Sequence, residues 1–172
     1  MSSSPTRLYL MVGYPGAGKT TAARWIAERT GAVHLWADVE RNKLFDRPTH
    51  SQAESNQLYE RLNEQTEQLL ANGRSVVFDT NFNHYADRQL LRGIAARYKA
   101  ETLVVWVCTP AAIARERAVH SRVVRNGYDF AMTGQQFDAI ANKLEPPRKN
   151  EKIIKIDGTK LDAAAVMRLI DT

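Results

Sequence analysis

Short unbroken runs of apolar residues alternate along this chain with longer stretches in which apolar positions recur every three or four residues. The runs Leu8–Val12, Val33–Ala37 (closing at Asp38), Ser75–Asp79, Thr102–Cys108 and Lys152–Asp157 read as five buried strands. The periodic stretches read as helices. One spans Thr21–Arg29 and is closed by Gly31. A capping box at Ser51–Glu54 opens another, with Leu58, Leu62, Leu69 and Leu70 on its apolar stripe, Glu60, Glu64 and Glu67 on a solvated face and Asn72-Gly73 at its end. Glu40, Arg41, Asn42, Lys43 and Arg47 read as a polar connection before it. Tyr85–Tyr98 places Leu90, Leu91, Ile94 and Tyr98 on one side. Thr109-Pro110 reads as an N-cap with proline at the first helical position, opening a helix through Ile113 to about Val124, where Asn126-Gly127 stops it. A second capping box, Thr133–Gln136, starts a short helix carrying Phe137, Ile140 and Leu144, and Pro146-Pro147 ends it. Leu161–Ile170 closes the chain.

Strands that alternate with helices and lack polar interruptions predict an α/β fold, a five-stranded parallel sheet covered on both faces. A length of 172 residues suits one domain, 1–172. The two successive helices between the fourth and fifth strands break the alternation, and residues 110–149 are therefore the expected helical lid. Composition narrows the class further. No run approaches a membrane span and the first residues have no apolar signal core, so a cytoplasmic location and no membrane association are expected. The single cysteine, Cys108, sits in an apolar run and reads as packing. A net charge of +5 favours anionic ligands, but without a long basic block it does not predict an extended nucleic-acid surface. No obligate protein partner is evident.

The chemistry is stated between the first strand and the first helix. Gly13-Tyr14-Pro15-Gly16-Ala17-Gly18-Lys19-Thr20 fits Gly-x-x-x-x-Gly-Lys-Ser/Thr without departure. Such a loop curls so that successive backbone N–H groups face one centre, and it leads into a helix N-terminus that adds attraction for phosphate. Lys19 brings a mobile positive charge to the terminal phosphates, and the Thr20 hydroxyl suits magnesium, a hard cation. Thr21, next in the chain, completes the nucleotide-binding set.

Three uses of a bound triphosphate compete. A GTPase switch wants Asn-Lys-x-Asp, and the nearest string, Asn142-Lys143-Leu144-Glu145, ends wrongly. A motor-type ATPase wants a glutamate after the acid closing its third strand, where this chain has Asp79-Thr80. A kinase needs a carboxylate to accept the acceptor's proton and cations on the transferring charge. Asp38, at the carboxyl end of the second strand, suits the base, and Asp79, closing the third, suits magnesium held through water. Arg115, Arg117, Arg122 and Arg125 fall in the expected lid, where arginine clamps phosphate best. His34 reads as strand packing, His50 and His120 as exposed, and His84 lies near the loop after Asp79. The histidine spacing supports no zinc site, and the three tryptophans sit at core-like positions.

Taken together, the loop, Asp38-Val39-Glu40-Arg41, Asp79-Thr80-Asn81-Phe82-Asn83 and the lid arginines resemble the polynucleotide 5′-hydroxyl kinases and the related small P-loop kinases of the zeta-toxin type. The resemblance implies a P-loop NTPase fold of the kinase type, a three-layer sandwich with a helical lid. It also implies transfer of the γ-phosphate of ATP, with Mg2+, to an alcohol: a nucleic acid 5′-end first, a nucleoside, sugar or antibiotic hydroxyl second. Asp38 is then the general base and Arg41 contacts the acceptor's neighbouring phosphate, with Thr80 and Asn81 in the acceptor site. Lys19 and Thr20 serve ATP and magnesium. Arg117 is the lid arginine on the γ-phosphate, and Arg122 stands one residue out of register as the second.

Overall fold

Alternate residues of the first strand take opposite sides of a sheet: Leu8, Leu10 and Val12 pack into one apolar cluster, Tyr9 and Met11 into another. This is the central strand, β1 (Arg7–Val12), of a computed structural model that describes residues 5–120 and 132–172. The further strands β2 (Val33–Trp36), β3 (Val76–Asp79), β4 (Glu101–Cys108) and β5 (Ile153–Asp157) line up in the order β2-β3-β1-β4-β5, every neighbouring pair parallel. All five therefore deliver their carboxyl ends to one edge, where ligands of open α/β sheets bind.

Helices cover both faces. On the Tyr9 side, α1 (Lys19–Thr30) buries Ala22, Ala23 and Ile26, and α7 (Ala163–Ile170) buries Val166 and Ile170. On the Leu8 side, α3 (Gln52–Ala71) presents Leu58, Leu62 and Leu70, and α4 (Tyr85–Arg97) presents Leu91 and Ile94. Two more helices, α5 (Ala111–His120) and α6 (Gly134–Ala141), lie between β4 and β5. The five-stranded parallel sheet expected from the pattern is observed, and the fold is the kinase-type P-loop NTPase fold that the resemblance implies. Among the described residues no helix is long and apolar enough to cross a membrane.

The second strand stops at Trp36, and Ala37–Leu44 form a helix, α2, where a polar connection was expected. At the Ser51 capping box only half the exchange occurs: the Ser51 hydroxyl accepts from the Glu54 N–H, while the Glu54 carboxylate reaches back further, to the N–H groups of Thr49 and His50. The Thr133 box is complete. Thr109 does not cap α5, because its hydroxyl donates to the Ala17 carbonyl at 2.9 Å; the Pro110 carbonyl accepts the first helical bond from the Ala114 N–H. On α4, Leu90 and Tyr98 face solvent, and the fully buried position one turn before Leu91 belongs to Arg88. The expected continuation of α5 to Val124, its stop at Asn126-Gly127, and Arg122 and Arg125 lie outside the described residues.

Arg88 is the polar centre of the Leu8 side. Its guanidinium donates to both carboxylate oxygens of Glu151, at 2.7 and 3.1 Å, and to the carbonyls of Phe82, Glu145 and Pro146. One side chain thus ties the loop after β3 to the segment leading into β5.

Candidate active site

The loop between β1 and α1 is braced from outside. Gly16 has φ +78°, and a Cβ there would stand 2.3 Å from the Ala114 carbonyl oxygen of α5, so only glycine fits both the turn and the approach. Gly158, just after β5, comes as close from the other side: a Cβ on it would stand 1.8 Å from the Thr109 hydroxyl oxygen and 2.5 Å from the Ala17 carbonyl oxygen. Tyr14 meets Phe137 of α6 with ring centroids 6.1 Å apart. The nest is therefore preformed, which removes the entropy of ordering it when an anion binds.

Lys19 is 8% exposed, and its ammonium donates to the carbonyls of Gly13 and Tyr14 at 2.9 and 2.8 Å. These are loop acceptors that a phosphate oxygen can replace. Thr20 is half-buried at the start of α1, where the helix N–H groups add positive potential. Pro15 and Ala17 are buried within the loop, Gly18 is its left-handed entry to α1, and Thr21 is exposed on the first turn.

Asp38 lies in the first turn of α2, directly beyond the end of β2. It is accessible to solvent, yet protein crowds it enough to push its carboxyl above the ordinary carboxylate range; the charge of Asp79 adds to that, while Lys19, Arg41 and His50 act against it. A carboxyl so placed, open to solvent and close to cations, can accept a proton from a hydroxyl. Arg41 is three residues on, so the helix carries it on the same side as Asp38. It is 8% exposed, donates to the Ser55 hydroxyl at 3.2 Å and stands 3.7 Å from Glu54. Its Nη1 is buried without a hydrogen bond. Thr80 is buried, with its hydroxyl 2.8 Å from that of Tyr59, whose own pKa burial raises. Asn81 is half-buried in the following turn.

Asp79 is 3% exposed and its Oδ2 is 3.0 Å from His34 Nε2. The donor set of the site, the Thr20 hydroxyl and the Asp79 carboxylate beside the phosphate nest, is all oxygen and too sparse for a metal held by protein alone. Among the described residues no cluster of three or more His, Cys, Asp or Glu side chains forms a metal cage. That chemistry fits Mg2+, which keeps most of its waters and binds through a carboxylate or two plus substrate phosphates. Arg117 donates to the Gly158 carbonyl at 2.9 Å, on the segment that braces the nest. Arg115 pairs instead with Asp138 of α6, at 3.2 Å. On the β4 side of the nest a cavity of about 340 Å3 is lined by Gly13, Tyr14, Trp106, Cys108, Leu144 and Pro146.

The structure thus gathers the nest, Lys19, Asp38, Arg41, Asp79 and Thr80 at one edge. Tyr59 and Gly158 join them without having been singled out, and His34, read as strand packing, stands against Asp79. A glycine directly after a strand, as at Asp157-Gly158, was a readable sign of close approach; for His34 and Tyr59 no local signal exists.

Residues 8–147 match the family described as an AAA domain. The chain belongs to that family. No curated protein matches the sequence. Solved structures share the fold at low identity. A putative kinase from Chloroflexus aurantiacus superposes with a TM-score of 0.78 at 15% identity, covering 98% of each chain. A sugar kinase from Janibacter sp. gives 0.68 at 21%, covering 97% of this chain and 91% of its own. The APS kinase CysC of Mycobacterium tuberculosis, solved with AMPPNP and APS, gives 0.68 at 18%, covering 99% and 100%.

Proposed function

We propose that this chain is an ATP- and magnesium-dependent phosphotransferase whose acceptor is the hydroxyl of a small molecule. The observation that carries the reading is Asp38: a solvent-accessible carboxyl with a raised pKa, within the fields of Lys19, Arg41 and Asp79 at the mouth of a preformed phosphate nest. A nest alone binds nucleotide; a proton acceptor beside it adds a reaction. The glycine-rich loop seats the phosphates, and Lys19 leaves the Gly13 and Tyr14 carbonyls to follow the transferring group. Asp38 takes the proton of the acceptor hydroxyl. Thr20 and Asp79 would hold magnesium, which when bound would neutralise charge on the phosphates. Thr21 joins the nucleotide set, and Arg117 exchanges the Gly158 carbonyl for a phosphate oxygen.

Arg41 supports the choice of a small acceptor. Its guanidinium is sunk between α2 and α3 and held by Ser55 and Glu54, so an anionic group reaches it only by entering the protein. Kinases sharing this fold are named for sugar, gluconate and APS acceptors, which points the same way. The Asp38-x-x-Arg41 spacing is what favours the second reading, a polynucleotide 5′-end; it requires an exposed strand to present its phosphate to a recessed arginine. A cytoplasmic location accompanies either reading.

Transfer from ATP labelled at the γ-phosphate to a panel of sugars, sugar acids, nucleosides, nucleotides and a 5′-hydroxyl oligonucleotide tests this. Label on a small-molecule alcohol, lost in Asp38→Asn, is expected. Label on the oligonucleotide alone would establish the second reading, and release of phosphate to water with no labelled acceptor would overturn both.

A further inference from the structure

His34 sits on the edge strand, and its sequence context suggests nothing beyond packing. Register decides its role. Trp36 is paired with Asp79 and His34 with Val77, so all four residues face the side of the sheet covered by α1. Diagonal neighbours across a strand pair lie within reach of an imidazole. The His34 ring is stacked on Trp36, centroids 5.4 Å apart and planes 5° from parallel, which sets the plane in which Nε2 points. Nε2 then meets Asp79 Oδ2 at 3.0 Å, the one side-chain hydrogen bond made by Asp79 among the described residues. Donation to a carboxylate requires the ring proton on Nε2.

A carboxylate buried as deeply as Asp79, with the like charge of Asp38 nearby, needs a donor to hold one orientation. We infer that His34 is a positioning residue: it anchors one oxygen of Asp79 and so fixes the orientation in which that carboxylate would serve magnesium in the nucleotide complex. The inference rests on the proposed magnesium role of Asp79, and it touches neither acceptor nor chemistry. Partners that orient a metal-binding carboxylate typically matter 10- to 100-fold for metal affinity or activity.

The test is nucleotide binding by the whole chain, measured by calorimetry with ADP in EDTA and again in excess Mg2+. His34→Phe keeps an aromatic ring against Trp36 and removes the donor; His34→Gln restores a donor at similar reach. The wild type is expected to bind ADP more tightly with Mg2+. In His34→Phe that gain shrinks by about tenfold, with metal-free affinity within about twofold of wild type, and His34→Gln recovers most of it. An unchanged gain in His34→Phe, an equal fall in metal-free affinity, no recovery in His34→Gln, or a wild type indifferent to Mg2+ would each overturn the proposal. Because no acceptor is present, these outcomes are independent of whether the acceptor panel identifies a substrate.

Discussion

Replacing Arg88 by leucine separates the frame of the site from its chemistry. Arg88 is fully buried and donates five hydrogen bonds, two to Glu151 and one each to the carbonyls of Phe82, Glu145 and Pro146. Glu151 is itself buried, with a side chain 2% exposed, and among the described residues it keeps only the Arg148 N–H at 2.7 Å once Arg88 is gone. The cost is then dominated by an uncompensated charge in the interior and three orphaned carbonyls. Breaking a buried ion pair from one side costs about 3–5 kcal/mol. With a urea dependence of about 2 kcal/mol per M, the unfolding midpoint of Arg88→Leu should fall by about 1.5–2.5 M. The double variant Arg88→Leu with Glu151→Met removes both charges, and it should regain at least about 1 kcal/mol of that loss, since apolar replacement of a buried pair is often near neutral. Equilibrium urea denaturation followed by circular dichroism measures all three proteins. A midpoint shift below about 0.5 M in Arg88→Leu, or a double variant less stable than the single, would refute the assignment of this pair as the tie between the β3 loop and the β5 approach.

Asp38→Asn should lower turnover by about 100-fold or more while leaving ADP affinity nearly unchanged, as loss of a general base does; a variant that turns over like wild type removes Asp38 from the mechanism. The pH profile follows from the direction of the Asp38 shift. Because burial and Asp79 raise its pKa and the base must be ionised, kcat/KM should rise with pH through a midpoint above the ordinary carboxylate range. The sign for stability is opposite: between the unfolded and the raised folded value the native state holds a proton the unfolded chain releases, so this group makes the fold less stable as pH rises through that window. An acid limb at the ordinary carboxylate value would contradict the crowding around Asp38. Gly16→Ala forces a side chain into a left-handed backbone 2.3 Å from the Ala114 carbonyl oxygen, and should cost about 2–4 kcal/mol, read as a lowered midpoint in thermal denaturation. An unaltered midpoint would mean that α5 does not brace the loop.

Much of this molecule is local, and the local part was readable. Five apolar runs, a glycine-bracketed loop ending Lys-Thr, and the capping residues Ser51 and Thr133 each act through neighbours in the chain, so strands, nest and most helix starts follow from residue order. Asp38 and Asp79 were readable for a related reason: parallel strands put their carboxyl ends at one edge whatever else the fold does. α2 was missed because its first residue follows Trp36, which offers no side-chain cap, and its remaining sign, acids before bases across two turns, is weak in isolation. That helix is what sets Asp38 and Arg41 on one side.

Order along the chain determined which groups are present and which end of the sheet they reach. Packing between distant segments decided the rest. Arg41 became a recessed guanidinium only because α3 supplies Ser55 and Glu54. Arg88 took a core position because Glu151, 63 residues away, neutralises it there. His34 became a partner for Asp79 only when β2 paired with β3 in one register. Hydrophobic period and turn chemistry act over a few residues, whereas the burial of a charge is permitted or forbidden by partners that no short window contains.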